Sequence, residues 1–301
     1  MLRKRHAHKN NVARRFAGAK LQSAMEYLMT YGWAILIIAV VLGALFQLGV
    51  FNANNFAPKA PPGSCQVFRP NGPGTTSFIN LEGICSGEIP QYVGQFNGQS
   101  SYISATVPQI NTASGGYNTV TFWMYWNGAI NGQLSVFPGA YDLWFSSGTC
   151  FGFNTAHSDA YGINPSSLAG KWVFVAAVFY NGPYTGNSLL YINGIPQALS
   201  QCTGSANSGV ATNNFLISGN NGYYFGGSIA NVQIYNTSLS AKDIQSLYLE
   251  GIGGAPIDLQ NLVAWWPLNG NANDYSGNDN NGQINGGVTF VSNWWSGYTP
   301  P

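Results

Sequence analysis

The chain has 301 residues, of which 45% are hydrophobic and only 7% are charged, and its formal net charge is +1. The hydrophobic fraction is enough for one sizeable core and one extra element, but too small for two full domains. With 38 glycines and 14% aromatic residues, the composition favours a mostly β protein over one built from long solvent-exposed helices.

The basic residues cluster at the N-terminus. Seven of the eleven lysines and arginines precede Glu26, the first acidic residue, whereas four basic residues and nine acidic ones follow it. Because the basic segment leads directly into an apolar one, the positive-inside rule favours a cytoplasmic flank over a nucleic-acid-binding arm. We therefore expect the bulk of the chain outside the cell and no nucleic-acid partner.

Residues 27–51 contain neither a charged residue nor a proline. This run is long enough to cross a bilayer as a helix. Three interpretations compete: a plain membrane anchor, a cleaved secretory signal and an assembly helix. A secretory signal has a shorter apolar core that ends in a small-residue cleavage site, so this second interpretation is the weakest.

A single carboxylate, Glu26, stands at the start of the apolar run, where a charge is costly in lipid unless it is paired. The surrounding stretch KLQSAMEYL, residues 20–28, resembles the class III signal peptide of archaeal type IV pilins. The resemblance implies that residues 1–21 form a basic cytoplasmic leader, cleaved between Leu21 and Gln22. It also implies that Glu26 offsets the new α-amine of Gln22 during assembly. Leu21 departs from the Gly or Ala that usually precedes the cut.

The same resemblance implies the partners and the location of the protein. Residues 22–51 would form one transmembrane and assembly helix of about 45 Å, at about 1.5 Å per residue. Its partners would be the membrane, the prepilin peptidase, the pilus assembly machinery and copies of the same chain. The protein is then expected in the cell membrane before assembly and in an extracellular filament afterwards.

Residues 52–88 are rich in proline and glycine, which predicts an extended linker. All four cysteines follow the apolar segment without metal-ligand spacing, which favours two disulfides in an exterior protein over buried free thiols. Three connectivities are possible. We favour Cys65 with Cys85 and Cys150 with Cys202, because each pair closes a loop within one contiguous region.

Residues 89 onward carry strand and hairpin patterns. The segment 171–180 is apolar on both faces, as expected for a central strand that is covered on each side. Asn193 and Gly194 form a pair typical of tight hairpins. Ser240 and Asp243 form a capping-box pattern that predicts one short helix, with Gly251 as its stop.

The order of these blocks is similar to that of the LamG-like jelly-roll family. The blocks are FNGQSSYI (96–103), VTFWMYW (120–126), KWVFVAAVFYNG (171–182), LLYINGIP (189–196) and GSIANVQIYNTSLSAKDIQSLY (227–248). The resemblance implies a two-sheet antiparallel β-sandwich of the concanavalin A type over residues 89–301.

The motif NLVAWWPLNG, residues 261–270, opens the domain in that family but comes last in this chain. It could begin a truncated second repeat, insert into a neighbouring subunit as a donor strand, or complete its own sandwich by circular permutation. Residues 252–301 are too few to bury a sandwich core alone. We therefore expect residues 261–290 to supply the family's opening strand to the same domain.

The residues of the outer domain predict no enzyme, because catalysis needs convergent acid, base or nucleophilic groups. Asp274 lies in the loop that matches a calcium site of some LamG-like domains. A Ca²⁺ ligand is therefore one hypothesis for Asp274, and a turn-forming side chain is the other; no other cofactor is expected. The candidate acids and bases are scattered in sequence: Asp142, His157, Asp159, Asp274 and Asp279.

The fold class makes glycan binding plausible by analogy. Four aromatic residues are candidates for stacking on sugar rings, although aromatic residues of sandwiches more often lie in the core: Trp144, Tyr223, Tyr224 and Trp294. Asn236 begins the N-glycosylation sequon Asn-Thr-Ser. The predicted function is a structural subunit of an archaeal pilus-like filament that displays a lectin-like sandwich for adhesion to surface glycans. The alternative is a non-polymerising, membrane-anchored carbohydrate-binding protein.

Overall fold

The computed structural model describes residues 29, 31–45, 65–70, 76–81, 90–138, 141–155, 159–183, 186–205, 207–219 and 222–301. Several predictions fall outside these ranges. They concern the leader, the cleavage site at Leu21 and Gln22, the assembly role of Glu26, most of the linker, Cys85 and His157. The chain divides into two compact units, Met1–Lys59 and Ala60–Pro301.

The first unit contains a helix, α1, over residues 31–45. At 1.5 Å per residue its length is about 22 Å, and its apolar side chains are exposed: Trp33 and Ile35 are 65% and 64% exposed. Among the described residues, no helix combines the length and the apolar character that crossing a bilayer requires. The helix predicted over 22–51 is thus described only over 31–45.

In its described residues, the second unit consists mainly of short β-strands, with one helix. The elements in chain order are β1 (Cys65–Pro70), β2 (Thr76–Leu81), β3 (Val93–Asn97), β4 (Tyr102–Thr106), β5 (Tyr117–Trp126), β6 (Gly132–Phe137), β7 (Tyr141–Ser146), β8 (Cys150–Asn154), β9 (Ala160–Ile163), β10 (Trp172–Tyr180), β11 (Gly182–Pro183), β12 (Leu189–Ile192), β13 (Ile195–Pro196), β14 (Ser200–Thr203), β15 (Ser208–Gly209), β16 (Asn214–Ser218), β17 (Gly226–Tyr235), α2 (Ala241–Leu249), β18 (Leu262–Trp266), β19 (Gln283–Asn285) and β20 (Thr289–Val291).

Two antiparallel sheets of eight strands form a sandwich, which confirms the predicted fold class for this part of the chain. In the first sheet the order is β13-β12-β10-β5-β17-β3-β20, and β18 also pairs with β17. In the second sheet the order is β14-β9-β8-β7-β6-β16-β4-β19. The hairpin β1-β2 and the pair β11-β15 are separate two-stranded sheets.

Strand β10 connects two hydrophobic cores. Val175 and Phe179 point into the core between the sheets, whereas Phe174 and Val178 point into a second core on the opposite face of the first sheet. All four side chains are at most 3% exposed. Full burial of a Val or Phe side chain contributes roughly 1.5–3 kcal/mol, so both faces of this central strand stabilise the domain, as its apolar run predicts.

The second core is covered by α2 and by the C-terminal segment. Ile244 and Leu247 of α2 pack there with Trp294. The predicted capping box is present: the Ser240 Oγ accepts from the Asp243 backbone N–H at 3.2 Å, and the Asp243 carboxylate accepts from the Ser240 N–H at 3.2 Å. Gly251 follows the helix with a φ of 80°, a left-handed backbone that glycine adopts without steric strain.

Three strands of the C-terminal tail pair within their own chain. β18 pairs with β17, β19 with β4, and β20 with β3, so the tail contributes to both sheets. Trp266 is fully buried between the sheets, where it stacks on Phe215 at 5.8 Å between ring centroids. Trp265 is 2% exposed in the second core, whereas Trp295 is 52% exposed.

Two further local predictions are confirmed. Asn193 and Gly194 have φ angles of 51° and 75° in the turn between β12 and β13, which is the left-handed geometry that tight hairpins need. Cys150 and Cys202 form a disulfide. The pairing of Cys65 with Cys85 lies outside the described residues because Cys85 does.

Candidate functional site

The outer face of the second sheet presents polar side chains in register. Along β4, β7, β8 and β16 these side chains alternate with residues of the inter-sheet core, such as Ile103, Leu143, Phe153 and Phe215, so they point away from the core. One row of paired residues crosses six strands: Gln283, Ser104, Leu216, Val136, Asp142 and Asn154.

A cavity of about 440 Å³ lies at the β19 end of this face, and we call it the outer groove. Its volume is within the range of small-molecule sites. The residues that line it share a pattern of apolar contacts surrounded by amides and hydroxyls: Ser104, Ala105, Thr106, Pro138, Asn214, Leu216, Asp279, Asn280, Asn281 and Gln283. Thr106, Asn214 and Gln283 are exposed, so their polar groups are available to a ligand.

One wall of the groove is the 279–281 rim, which a turn around Asp274 holds in place. The Asp274 carboxylate accepts from the backbone N–H groups of Trp265, Ser276 and Asn280 at 2.9, 2.7 and 2.9 Å, and from the Ser276 hydroxyl at 2.8 Å. Four protein donors thus engage its two oxygens, which is the behaviour of a turn-forming aspartate.

The geometry around Asp274 gives little support to the hypothesis that this residue binds calcium. Among the described residues, no group of three or more His, Cys, Asp or Glu side chains is placed to hold a metal ion. Asn231 accepts from the Trp265 indole at 2.7 Å and donates to the Gly254 carbonyl at 2.7 Å. A cation at Asp274 would have to displace bonds that shape the turn.

The rim is anchored through Asn280, which is buried. Its side-chain amide donates to the Gln109 side chain and to the Val263 carbonyl, both at 2.9 Å. Its backbone carbonyl accepts from the Trp266 indole at 3.0 Å. Asn280 therefore ties the rim to β18, so the tail that completes the sandwich also builds the groove. Asp279 precedes it with a φ of 56°, a left-handed conformation that Asp tolerates better than most residues.

Three of the four aromatic candidates lie on the outer face of the second sheet. The ring centroids of Trp144 and Tyr223 are 5.6 Å apart, with an interplanar angle of 63°. Tyr224 stacks on Tyr102 with 6.2 Å between the ring centroids. The fourth candidate, Trp294, is buried in the second core, where its indole donates to the Pro90 carbonyl at 3.0 Å. Trp294 is therefore a core residue.

Asp142 lies on the same face, adjacent to Trp144. Its Oδ2 accepts from Gln133 at 2.8 Å and from Asn154 at 3.2 Å, while its Oδ1 is buried without a hydrogen-bond partner. Burial raises the pKa of Asp142 from 3.8 to about 8, against the opposing effect of the Asn154 hydrogen bond, and the negative charge of Asp159 raises this pKa further. Asp142 is therefore mostly protonated at neutral pH.

The sequon residue Asn236 directly follows β17 and is partly exposed. Its side-chain amide donates to the Gln109 carbonyl at 3.1 Å. A glycan on Asn236 would therefore require this hydrogen bond to break or rearrange. The exposed Ser238 completes the sequon.

Sequence reasoning singled out Asp274, Asp279 and the aromatic residues, but it missed Ser104, Thr106, Asn214 and Gln283. These polar residues belong to three strands, β4, β16 and β19, that lie far apart in sequence, and they carry no motif. The one local signal was the Asn-Asp-Asn-Asn run at 278–281, a composition typical of turns.

Residues 97–245 match a laminin G-type family model, described as the concanavalin A-like lectin/glucanases superfamily. No curated protein sequence matches the chain. Among solved structures, a provisionally assigned carbohydrate binding protein from Bacteroides ovatus is similar, with 17% identity over 67% of this chain and 60% of that chain, and a TM-score of 0.48.

A heptameric SAP-like pentraxin from Limulus polyphemus has 16% identity over 69% of this chain and 98% of its own, with a TM-score of 0.43. The receptor binding domain of a botulinum neurotoxin C/D mosaic serotype has 13% identity over 57% of this chain, with a TM-score of 0.33. The matched region spans 48% of that neurotoxin domain.

Proposed function

From the LamG/concanavalin A-like jelly-roll domain that the chain carries, we propose that this protein binds carbohydrate through the outer groove. We further propose that it is a subunit of a pilus-like filament that displays this domain at the cell surface. The observation that supports binding most is the chemistry of the lining. Leu216 and Pro138 offer an apolar surface, and amides and hydroxyls surround it. A sugar ring has the same character, with apolar C–H faces and polar hydroxyls at its edge.

The proposal is one of binding without catalysis. Glycoside hydrolysis ordinarily needs a pair of carboxyl groups that flank the scissile bond. The groove lining that the structure describes offers one carboxylate, that of Asp279. Asp274 is engaged by four donors at the base of the rim, and Asp142 is buried at a different part of the face.

The display on a filament is proposed from the N-terminal segment. A helix that is apolar on all sides needs a cover of lipid or protein, and the apolar side chains of α1, such as Trp33, Ile35 and Ile37, are 59–65% exposed in the single chain. Together with Gln22 and Glu26 at the spacing of the pilin processing motif, this supports assembly with copies of the same chain after extraction from the membrane.

Binding is tested on a printed glycan array with the full-length chain in detergent. We expect the wild type to bind at least one glycan, and the double variant Asn214→Ala, Gln283→Ala to bind it at least about tenfold more weakly, because about two hydrogen bonds are lost. The matched control is Gln245→Ala, an exposed amide on α2, which should bind like the wild type.

The same array distinguishes the groove from a calcium site. Because protein donors occupy the Asp274 oxygens, we expect EDTA to leave binding unchanged. Wild-type protein that binds no glycan would contradict the proposed function, and equal losses in the groove variant and the Gln245→Ala control would place the binding surface elsewhere.

A further inference from the structure

The outer groove carries one fixed negative charge. Asp279 is the single carboxylate among its described lining residues, and it is exposed. Its backbone is held in the left-handed region on the rim that Asn280 anchors to β18. Asp279 therefore contributes an exposed carboxylate to the lining of the groove.

The described lining of the groove holds no basic residue that would offset Asp279. Between residues 90 and 301 the sequence has two lysines, no arginine and seven acidic residues. Lys171 immediately precedes β10 of the first sheet, and Lys242 lies in α2, which packs in the second core. Neither lysine lines the groove. Among the described lining residues, Asp279 is thus the charged group that a ligand in the groove meets.

We infer that the groove selects glycans by charge, binding sugars with a free amine most tightly, neutral sugars next and acidic sugars least, and that Asp279 is the specificity-determining residue. This inference rests on the proposed carbohydrate binding. A protonated amine near Asp279 gains a charge-assisted contact, whereas a ligand carboxylate or sulfate faces a like charge. Exposed charge pairs of this kind change affinity by about two- to fivefold.

The substitution Asp279→Asn isolates this effect. Asn has the same shape and also tolerates the left-handed backbone at this position, so the rim should keep its conformation while the charge is lost. The matched control is Glu250→Gln. It removes one negative charge at the C-terminal end of α2, away from the groove.

The experiment uses the full-length chain in detergent on an array that prints neutral glycans beside charged counterparts. One suitable set is cellotetraose as the neutral glycan, the glucosamine tetramer chitotetraose as the amine form, and C6-oxidised cellotetraose as the acidic form. A second set is neutral lactose with acidic sialyllactose. For wild type we expect the amine form to bind about two- to fivefold better, and the acidic form about two- to fivefold worse, than the neutral glycan. Asp279→Asn should reduce both differences in affinity, and Glu250→Gln should reduce neither of them. In the wild type, 0.5 M salt should also reduce both differences.

The outcomes separate this inference from the function on which it rests. Selection by charge is overturned if the wild type binds neutral and acidic glycans equally. It is also overturned if the difference in affinity between them is as large in Asp279→Asn as in Glu250→Gln. Either result leaves carbohydrate binding standing. Failure of the wild type to bind any glycan in the series and on the wider array overturns the proposed function, and the inference with it.

Discussion

At the scale of single residues, Asp142 is the side chain whose chemistry the fold changes most. It is a carboxyl group on the outer face of the second sheet, yet it is only 5% exposed. Two amide donors bind one of its oxygens and the other has no partner. Because a buried charge without a counter-ion is unfavourable, the folded protein favours the protonated acid.

This burial predicts a pH dependence of stability. The pKa of Asp142 is about 8 in the folded state against an ordinary value of 3.8, so the native state holds a proton that the unfolded state releases. The Asp142 contribution is therefore fully present below about pH 4 and is lost as the pH rises towards 8. In Asp142→Asn, a neutral side chain replaces the acid, and the melting temperature should fall less between pH 5 and pH 9 than in the wild type.

Thermal melts of the full-length chain at pH 5, 7 and 9 provide the measurement. The buried tyrosines Tyr141 and Tyr235 do not interfere, because burial raises their pKa values and moves their ionisation further above this window. An exposed control, Asp279→Asn, should follow the wild type. Melting temperatures of the wild type and Asp142→Asn that decline in parallel would show that Asp142 ionises normally.

At the scale of elements, the tail strands β18, β19 and β20 have the widest effect. They pair with strands of both sheets, and β18 places Trp265 in one core and Trp266 in the other. In the same strand, the Val263 carbonyl accepts from the Asn280 side chain and the Trp266 indole donates to the Asn280 backbone carbonyl, and these two bonds anchor the rim. The tail therefore links the stability of the sandwich to the shape of the groove.

Removal of residues 258–301 should abolish the folded domain. Loss of a single buried Trp typically costs about 3–5 kcal/mol, which approaches the total stability of about 5–15 kcal/mol of many domains. We expect the truncated chain to aggregate or to lose its near-ultraviolet circular dichroism. A control that lacks only residues 299–301, which are exposed, should stay folded. A tail-less chain that remains folded and monomeric would contradict completion of the sandwich by its own tail.

At the scale of the whole molecule, the proposed filament depends on Glu26 and on processing before Gln22. A carboxylate at the start of an apolar helix is costly in lipid unless it is paired, so pairing with a free α-amine would favour the assembled bundle. We expect Glu26→Gln to abolish or strongly reduce filaments in electron micrographs of sheared surface material. Mass spectrometry should find a mature N-terminus at Gln22.

Glu250→Gln serves as the control for filament formation, since it removes a carboxylate from the head domain and leaves the helix unchanged. Filaments of normal amount and shape in Glu26→Gln would contradict the assembly role of Glu26. A mature chain that still begins at Met1 would contradict pilin-type processing. Binding of glycans by the head is independent of both results, because the groove lies entirely within residues 104–283.

The sequence by itself determined the class of the fold, the central strand β10, the hairpin at Asn193 and Gly194 and the cap of α2, and it favoured the pairing of Cys150 with Cys202 among three possible connectivities. These features follow from local patterns or from contiguous regions, in which neighbouring residues carry the signal. The tertiary structure alone decided that Trp294 is a core residue, that Asp274 supports a rim, and that Asp142 is buried. It also decided where the groove lies, because strand pairing brings together Ser104, Asn214 and Gln283, whose distances in sequence give no sign that they are neighbours.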